Sequence, residues 1–251
     1  MTMILAAGED LAGLLNREVW SQLRSLPPIP ARPVLSASLM LIDSSGVKPR
    51  VLMGKRHASH SFMPGKFVFP GGCVGPDDKR MNVAGMLPEL VEMRLAKVGP
   101  AYSLPRALAL AAIRETFEET GLMLAELECG TPDNPPESWR AFAAHGYPDL
   151  QPLHFIARAT TPPRLPRRYD TVFLAADSSA ITHRIDGLTG ADRELVETRW
   201  VNFEEAQGLD LAVITRVMLR ELELRLAAGM SYFLPAPWYR VTRQGWVRQE
   251  M

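Results

Sequence analysis

The segment that most constrains this chain runs from Pro105 to Gly121. A proline at its start, the apolar run Leu108, Leu110, Ala111, Ala112 and Ile113, and a glycine past its last turn predict one helix, buried along its first half. Its second half differs in kind. Glu115, Glu118 and Glu119 stand at i, i+3 and i+4, so three carboxylates share one helical face. Like charges at that spacing destabilise a helix, and the negative end of its dipole disfavours anions further. A solvated acidic helix end is the simpler reading, but the apolar run just before it places this helix in a core. Three carboxylates in such a place call for cations to offset them. Arg114 supplies one fixed positive charge, and hard oxygen ligands on one face suit Mg2+ or Mn2+ with positions left for water and phosphate oxygens.

The rest of the composition excludes several classes of function. The 251 residues carry 28 basic and 28 acidic side chains, a formal net charge of zero, which is not the electrostatic footprint of a dedicated nucleic-acid binder. A chain of this length can bury a sizeable core without a disulfide or metal staple. Cys73 and Cys129 are far apart and form no C-x-x-C pattern, so neither a disulfide framework nor a thiolate zinc site is expected. Met1–Gly8 is apolar but lacks a basic flank, so no signal peptide is expected, and no stretch approaches the ~18 apolar residues of a membrane helix. These features predict a cytoplasmic protein with no membrane partner.

Along the chain, Leu11, Leu14, Leu15, Val19 and Leu23 predict an amphipathic helix over 9–25, ended by the stiff connector Leu26–Pro30. Strands are expected at 33–42, 50–56 and 66–69, with a turn at 43–46, and later at 153–159, 170–176 and 197–203. Helices are expected at 87–97, 105–120, 139–145 and 211–228, followed by an aromatic-rich tail to Trp246. The Leu/Val stripe of 211–228 is core or the face of a homodimer. Strands and helices interleave without regular βαβ spacing, which predicts an α+β fold with mixed pairing.

The acidic helix end has a wider context. Phe69-Pro70-Gly71-Gly72 precedes it, and Arg114–Leu122 reads R-E-T-F-E-E-T-G-L. Together these resemble the Nudix hydrolase signature, G-x5-E-x7-R-E-U-x-E-E-x-G-U, with Thr116 at the first apolar position U. Gly72 and Arg114 stand 42 positions apart where the ungapped signature has 14, so 28 residues are inserted. Eight residues before Arg114, where the first signature Glu belongs, stands Arg106, and the role of that Glu is read as missing. The stretch Arg56–Gly72, with Thr160-Thr161-Pro162 and Arg167–Phe173, resembles the coenzyme A diphosphatase subgroup whose members carry a long insertion in the box. The resemblance covers roughly residues 33–203. It implies an α/β/α sandwich, with residues 1–32 as an N-terminal helix and connector, 33–251 as the Nudix domain, and a helical insertion at about 73–105 shaping the substrate side.

By the same resemblance, Glu115, Glu118, Glu119 and the backbone carbonyl of Gly72 bind Mg2+ or Mn2+, and Arg114 orients the carboxylates. Glu194 and Glu197 are candidates for a further acid drawn from a loop, with solvated strand-edge charges as the simpler alternative. Arg56, Phe62, Gly65 and Gly71 fall in the matching stretch and are expected at the substrate, together with Arg167 and Arg168, whose guanidinium groups suit phosphate. The partner is then a small nucleotide. The reaction implied is hydrolysis of a nucleoside diphosphate linked to another moiety, with coenzyme A or an acyl-CoA cleaved to 3′,5′-ADP and phosphopantetheine. ADP-ribose, NADH or a dinucleoside polyphosphate is the alternative substrate. Arg106 and the insertion also leave open a Nudix-fold sensor that has lost catalysis.

Overall fold

In the computed structural model, residues 10–251 are described, so the expectation for Met1–Gly8 lies outside the described residues. The N-terminal helix forms as α1 (Leu11–Leu15), a π-helical stretch (Asn16–Trp20) and α2 (Ser21–Leu23). Asp10 caps it by accepting a hydrogen bond from the Gly13 N–H at 2.8 Å. Strands β1 (Val34–Asp43), β2 (Arg50–Arg56), β3 (Phe67–Val68) and β4 (Gly71–Cys73) follow. Next come α3 (Glu89–Leu95), α4 (Leu104–Thr120), β5 (Leu122–Met123), β6 (Ala125–Glu126), α5 (Arg140–Ala143), β7 (Tyr147–Pro148), β8 (His154–Thr160), β9 (Tyr169–Asp177) and β10 (His183–Arg184). The chain closes with β11 (Leu195–Asn202), α6 (Phe203–Ala206), α7 (Val213–Ala227), β12 (Pro237–Thr242) and β13 (Gly245–Glu250).

One mixed sheet of nine strands organises the molecule, in the order β11-β2-β1-β9-β8-β12-β13, with β3 on β2 and β4 on β1. β1 and β9 pair in parallel from Val34↔Tyr169 to Ile42↔Asp177, and β2 pairs antiparallel with both β1 and β11. Side-chain alternation assigns each residue of β1 to a face. Ala37, Leu39 and Leu41 join α3 and α4 in one core, whereas Met40 and Ile42 join α1 and α7 in the other. Because that period is two, a slip of one residue would exchange the two sets, so burial on both faces fixes the register. The result is the expected α+β sandwich, with helices on both sides of a mixed sheet.

The tail departs from expectation. Residues expected as an aromatic tail form the hairpin β12–β13, which extends the sheet through parallel pairing of Trp238 and Tyr239 with Arg158 and Ala159 of β8. Buried Glu221 of α7 ties the hairpin down, accepting hydrogen bonds from the Tyr239 hydroxyl and, at 2.9 Å, from Arg248 Nε. Asn16 joins the same hairpin to the N-terminal helix. Its side-chain amide donates to the Trp246 carbonyl (3.0 Å) and accepts from the Trp246 N–H (2.8 Å). The first helix is thereby fastened to the end of the chain.

The insertion is also corrected in place. Met81, Leu87, Val91 and Leu95 are buried in the core formed with α4, so this segment braces the back of that helix. Of residues 73–105, only Cys73 reaches the cavity described below.

Candidate active site

The site begins with two glycines. β1 carries β2 on the last part of one edge and β4 on an earlier part, with Ala37 opposite Gly72 and Ser38 opposite Gly71. That pairing presses the Gly71-Gly72 backbone between β1 and α4. A side chain at either position has no room: a Cβ on Gly72 would lie 2.4 Å from the Glu115 carboxyl carbon, and one on Gly71 would lie 2.4 Å from the Ala37 carbonyl oxygen. On the other side, α4 starts with proline in its first turn and stops at Gly121, whose left-handed φ of 76° lets its N–H bond the Phe117 carbonyl at 2.8 Å. The carboxylates therefore leave the last turns of a rigid, buried helix directly against the glycine turn.

Arg114 is buried and binds several oxygens at once. It donates to Asp78 from Nε (2.9 Å) and Nη2 (3.1 Å), to the Cys73 carbonyl (3.0 Å) and to Glu118 (3.0 Å), and lies 2.8 Å from Glu115 Oε1. Burial works against its charge, but the hydrogen bonds it donates to Asp78 and the charge of Glu115 outweigh it and hold the guanidinium protonated. Asp78 is fully buried and also accepts from the Trp139 indole (3.1 Å) and the Gly75 N–H (2.8 Å).

Asp78 corrects the expectation that an acid is missing from the motif. Counted back from Arg114, the place of the first acid holds Arg106; counted forward from Gly72, five residues lead to Asp78. The insertion thus follows the first acid rather than preceding it. Arg106 turns away and donates to the Met81 carbonyl within the insertion. The argument for lost catalysis that rested on Arg106 lapses with this pairing.

The three glutamates occupy different environments. Glu119 is 5% exposed; its Oε2 accepts the Gly71 N–H at 3.0 Å, while its buried Oε1 has no hydrogen-bond partner. Burial, and then the nearby charge of Glu194, push its carboxyl well above the usual range. Burial raises Glu115 to about 7 against the pull of Arg114, and raises Glu118 in the same direction. Among the described residues, no three His, Cys, Asp or Glu side chains converge as a formed metal site; Glu115 and Glu118 turn onto Arg114 instead. The donor set still fits a hard divalent cation. An orphaned buried carboxylate oxygen on Glu119, with the largely buried carboxylate of Glu115 on the same helix face, is what such an ion would relieve.

A cavity of about 730 Å3 opens beside this helix end and takes in Gly71, Gly72, Glu115, Arg56, Phe62 and Glu194. Arg56 donates to Glu194 Oε1 at 2.9 Å, and His60 Nε2 lies 3.2 Å from the same oxygen. Glu194 and Glu197 separate here. Glu194 lies just ahead of β11 and on the cavity, while Glu197 lies within that strand and pairs with Arg199. Three other candidates are not brought to the cavity wall. Gly65 forms a turn with φ 70°, Arg167 bonds the Ser61 hydroxyl, and Arg168 is spent on the carbonyls of Thr161 (3.1 Å) and Ala31 (2.6 Å). Asp78, Trp139 and His60 carry structural weight that the motif reading missed.

Known structures share this architecture. A Nudix hydrolase from Alicyclobacillus acidocaldarius is 26% identical and superposes with a TM-score of 0.57, covering 76% of this chain and 91% of that one. The chain is a Nudix hydrolase. More distant likenesses include a Caenorhabditis elegans Ap4A hydrolase (16% identity, TM-score 0.41, 77% and 98% covered) and the Nudix domain of Shewanella oneidensis NrtR bound to ADP-ribose (13%, 0.42, 83% and 99%). No family model and no curated protein matches the chain. Within this Nudix hydrolase, the glycine turn lies on β4 and the three glutamates on α4. Among the described residues, no helix is long and apolar enough to cross a membrane.

Proposed function

We propose that this Nudix hydrolase cleaves a nucleoside diphosphate linked to another moiety, with coenzyme A or an acyl-CoA as substrate and 3′,5′-ADP and phosphopantetheine as products. The observation that carries the reading is the buried, half-satisfied carboxylate of Glu119, bonded to Gly71 in the wall of a cavity that also takes in Glu115, Arg56 and Glu194. Glu115, Glu118, Glu119 and the Gly72 carbonyl would hold Mg2+ or Mn2+. When bound, such an ion screens the diphosphate charge and lowers the pKa of water.

The remaining work belongs to this chain's own residues. Arg114, fixed by Asp78, holds Glu115 and Glu118 in place. The Gly71 N–H orients Glu119. Arg56 supplies a fixed positive charge at the cavity for phosphate oxygens, since guanidinium suits phosphate geometry. Glu194, steadied by Arg56 and His60, is placed to accept a proton from the attacking water. Support for coenzyme A is the matching stretch from Arg56 to Gly72 and the later Thr160–Phe173 segment, both of which line or border the cavity.

A substrate panel tests this reading. Purified protein with Mg2+ or Mn2+ is given coenzyme A, ADP-ribose and NADH, and the products are separated by chromatography. Release of 3′,5′-ADP from coenzyme A in preference to the other cleavages is the expected result. Cleavage of ADP-ribose or NADH with coenzyme A untouched overturns the assignment.

A further inference from the structure

The cavity extends beyond the polar groups that a diphosphate can use, and its additional walls are aliphatic. Leu15, Val19 and Leu23 line it from the N-terminal helix, each four residues from the next. An ordinary α-helix has 3.6 residues per turn, so such a row would wind off its face. The π-helical stretch at Asn16–Trp20 closes wider turns and keeps the three residues in line. Leu211, Val213 and Ile214, at the entry to α7, provide another apolar wall. Charged groups of these walls turn to partners elsewhere: Glu18 pairs with Arg216, and Lys66 with Asp210 at 2.6 Å. At about 730 Å3 the space lies within the ~300–1,000 Å3 typical of small-molecule pockets.

We infer that this chamber receives an aliphatic chain carried by the non-nucleotide half of the substrate, and that the Leu15–Val19–Leu23 row of the N-terminal helix limits its length. The inference rests on the diphosphatase reading for the position of the nucleotide. Continuity supports it: the aliphatic walls and the helix-end carboxylate Glu115 border one cavity, so a chain leaving the diphosphate can run along those walls. The N-terminal helix is held there by Asn16 and the Trp246 backbone, so the chamber is built rather than incidental.

Binding of ADP and of its ethyl, hexyl and decyl β-phosphate esters to the full chain is measured by calorimetry in chelator-containing buffer, where no turnover interferes. Each methylene taken from water is worth up to about fourfold in affinity, so the decyl ester is expected to bind at least ~100-fold more tightly than the ethyl ester. Val19→Trp and Ile214→Trp, which fill opposite walls, are expected to weaken the decyl ester at least ~10-fold and leave ADP within about twofold, as burial-driven binding requires. Equal affinity along the ester series, or no measurable binding of any ester, overturns the inference on the unmodified protein alone. So does a loss of ADP affinity as large as the loss for the decyl ester. The coenzyme A reading is separable. Chain-dependent binding without coenzyme A cleavage removes that substrate and keeps the chamber, whereas coenzyme A cleavage with chain-independent binding removes the chamber only.

Discussion

Asp78 grips Arg114 with two hydrogen bonds, at 2.9 and 3.1 Å, across an insertion that separates the two halves of the motif. The aspartate has no exposed surface and the arginine is only 8% exposed, so the pair is a buried ion pair with its remaining valences filled by Trp139, Gly75 and the Cys73 carbonyl. Through it the glycine turn and α4 are tied together.

Removing one partner of such a pair leaves a buried charge behind. Asp78→Ala is expected to lower stability by about 3–5 kcal/mol, measured by urea denaturation. Trp139→Phe removes one of its hydrogen bonds and is expected to cost about 1 kcal/mol. An Asp78→Ala protein as stable as the unmodified chain would contradict the anchoring role.

Glu119 behaves oppositely. Its carboxylate is buried with one oxygen unpaired, so it stands in the fold at a cost that function maintains. Glu119→Gln is expected to lose hydrolysis by at least ~100-fold while melting at the same temperature as the unmodified chain or higher, the stability–activity trade-off of a strained site. A melting temperature that falls by several degrees would show instead that the carboxylate stabilises the fold.

Gly72 sets the spacing between turn and helix. A methyl group there would meet the Glu115 carboxyl carbon at 2.4 Å. Gly72→Ala is expected to displace Glu115, cost about 1–3 kcal/mol in overpacking, and abolish turnover in a folded protein. Circular dichroism and a product assay on the same sample check both halves.

Asn16 tests the fastening of the N-terminal helix. Both its hydrogen bonds go to the backbone of Trp246, so Asn16→Ala is expected to cost about 1–3 kcal/mol, because the Trp246 N–H and carbonyl lose their partner. Hydrogen exchange of residues 11–23 should rise in the variant. Unchanged exchange there would mean that packing alone holds the helix.

These pairs also explain what could be read from residues alone. The helix of Glu115, Glu118 and Glu119 was accessible because Pro105, the apolar run and Gly121 act locally. Asp78 was hidden because the insertion breaks the spacing when counted from Arg114, although the count from Gly72 was there to be made. The choice between Glu194 and Glu197 depends on which of them meets Arg56 and His60, residues well over a hundred positions away that no local pattern connects to them. The β12–β13 hairpin was expected as a tail because its strand character comes from pairing with β8, about eighty residues earlier. Arg167 and Arg168 looked like phosphate ligands by type, yet their partners are Ser61 and two backbone carbonyls.

The central claim is that the carboxylates of α4 support cation-dependent cleavage of a diphosphate. It is tested most directly by following 3′,5′-ADP release from coenzyme A by the unmodified protein and by Glu119→Gln, each with and without Mg2+ or Mn2+. Release that requires the cation and disappears in the folded Glu119→Gln protein is the predicted result. Cleavage that persists without any divalent cation, or at full rate in Glu119→Gln, would contradict the account.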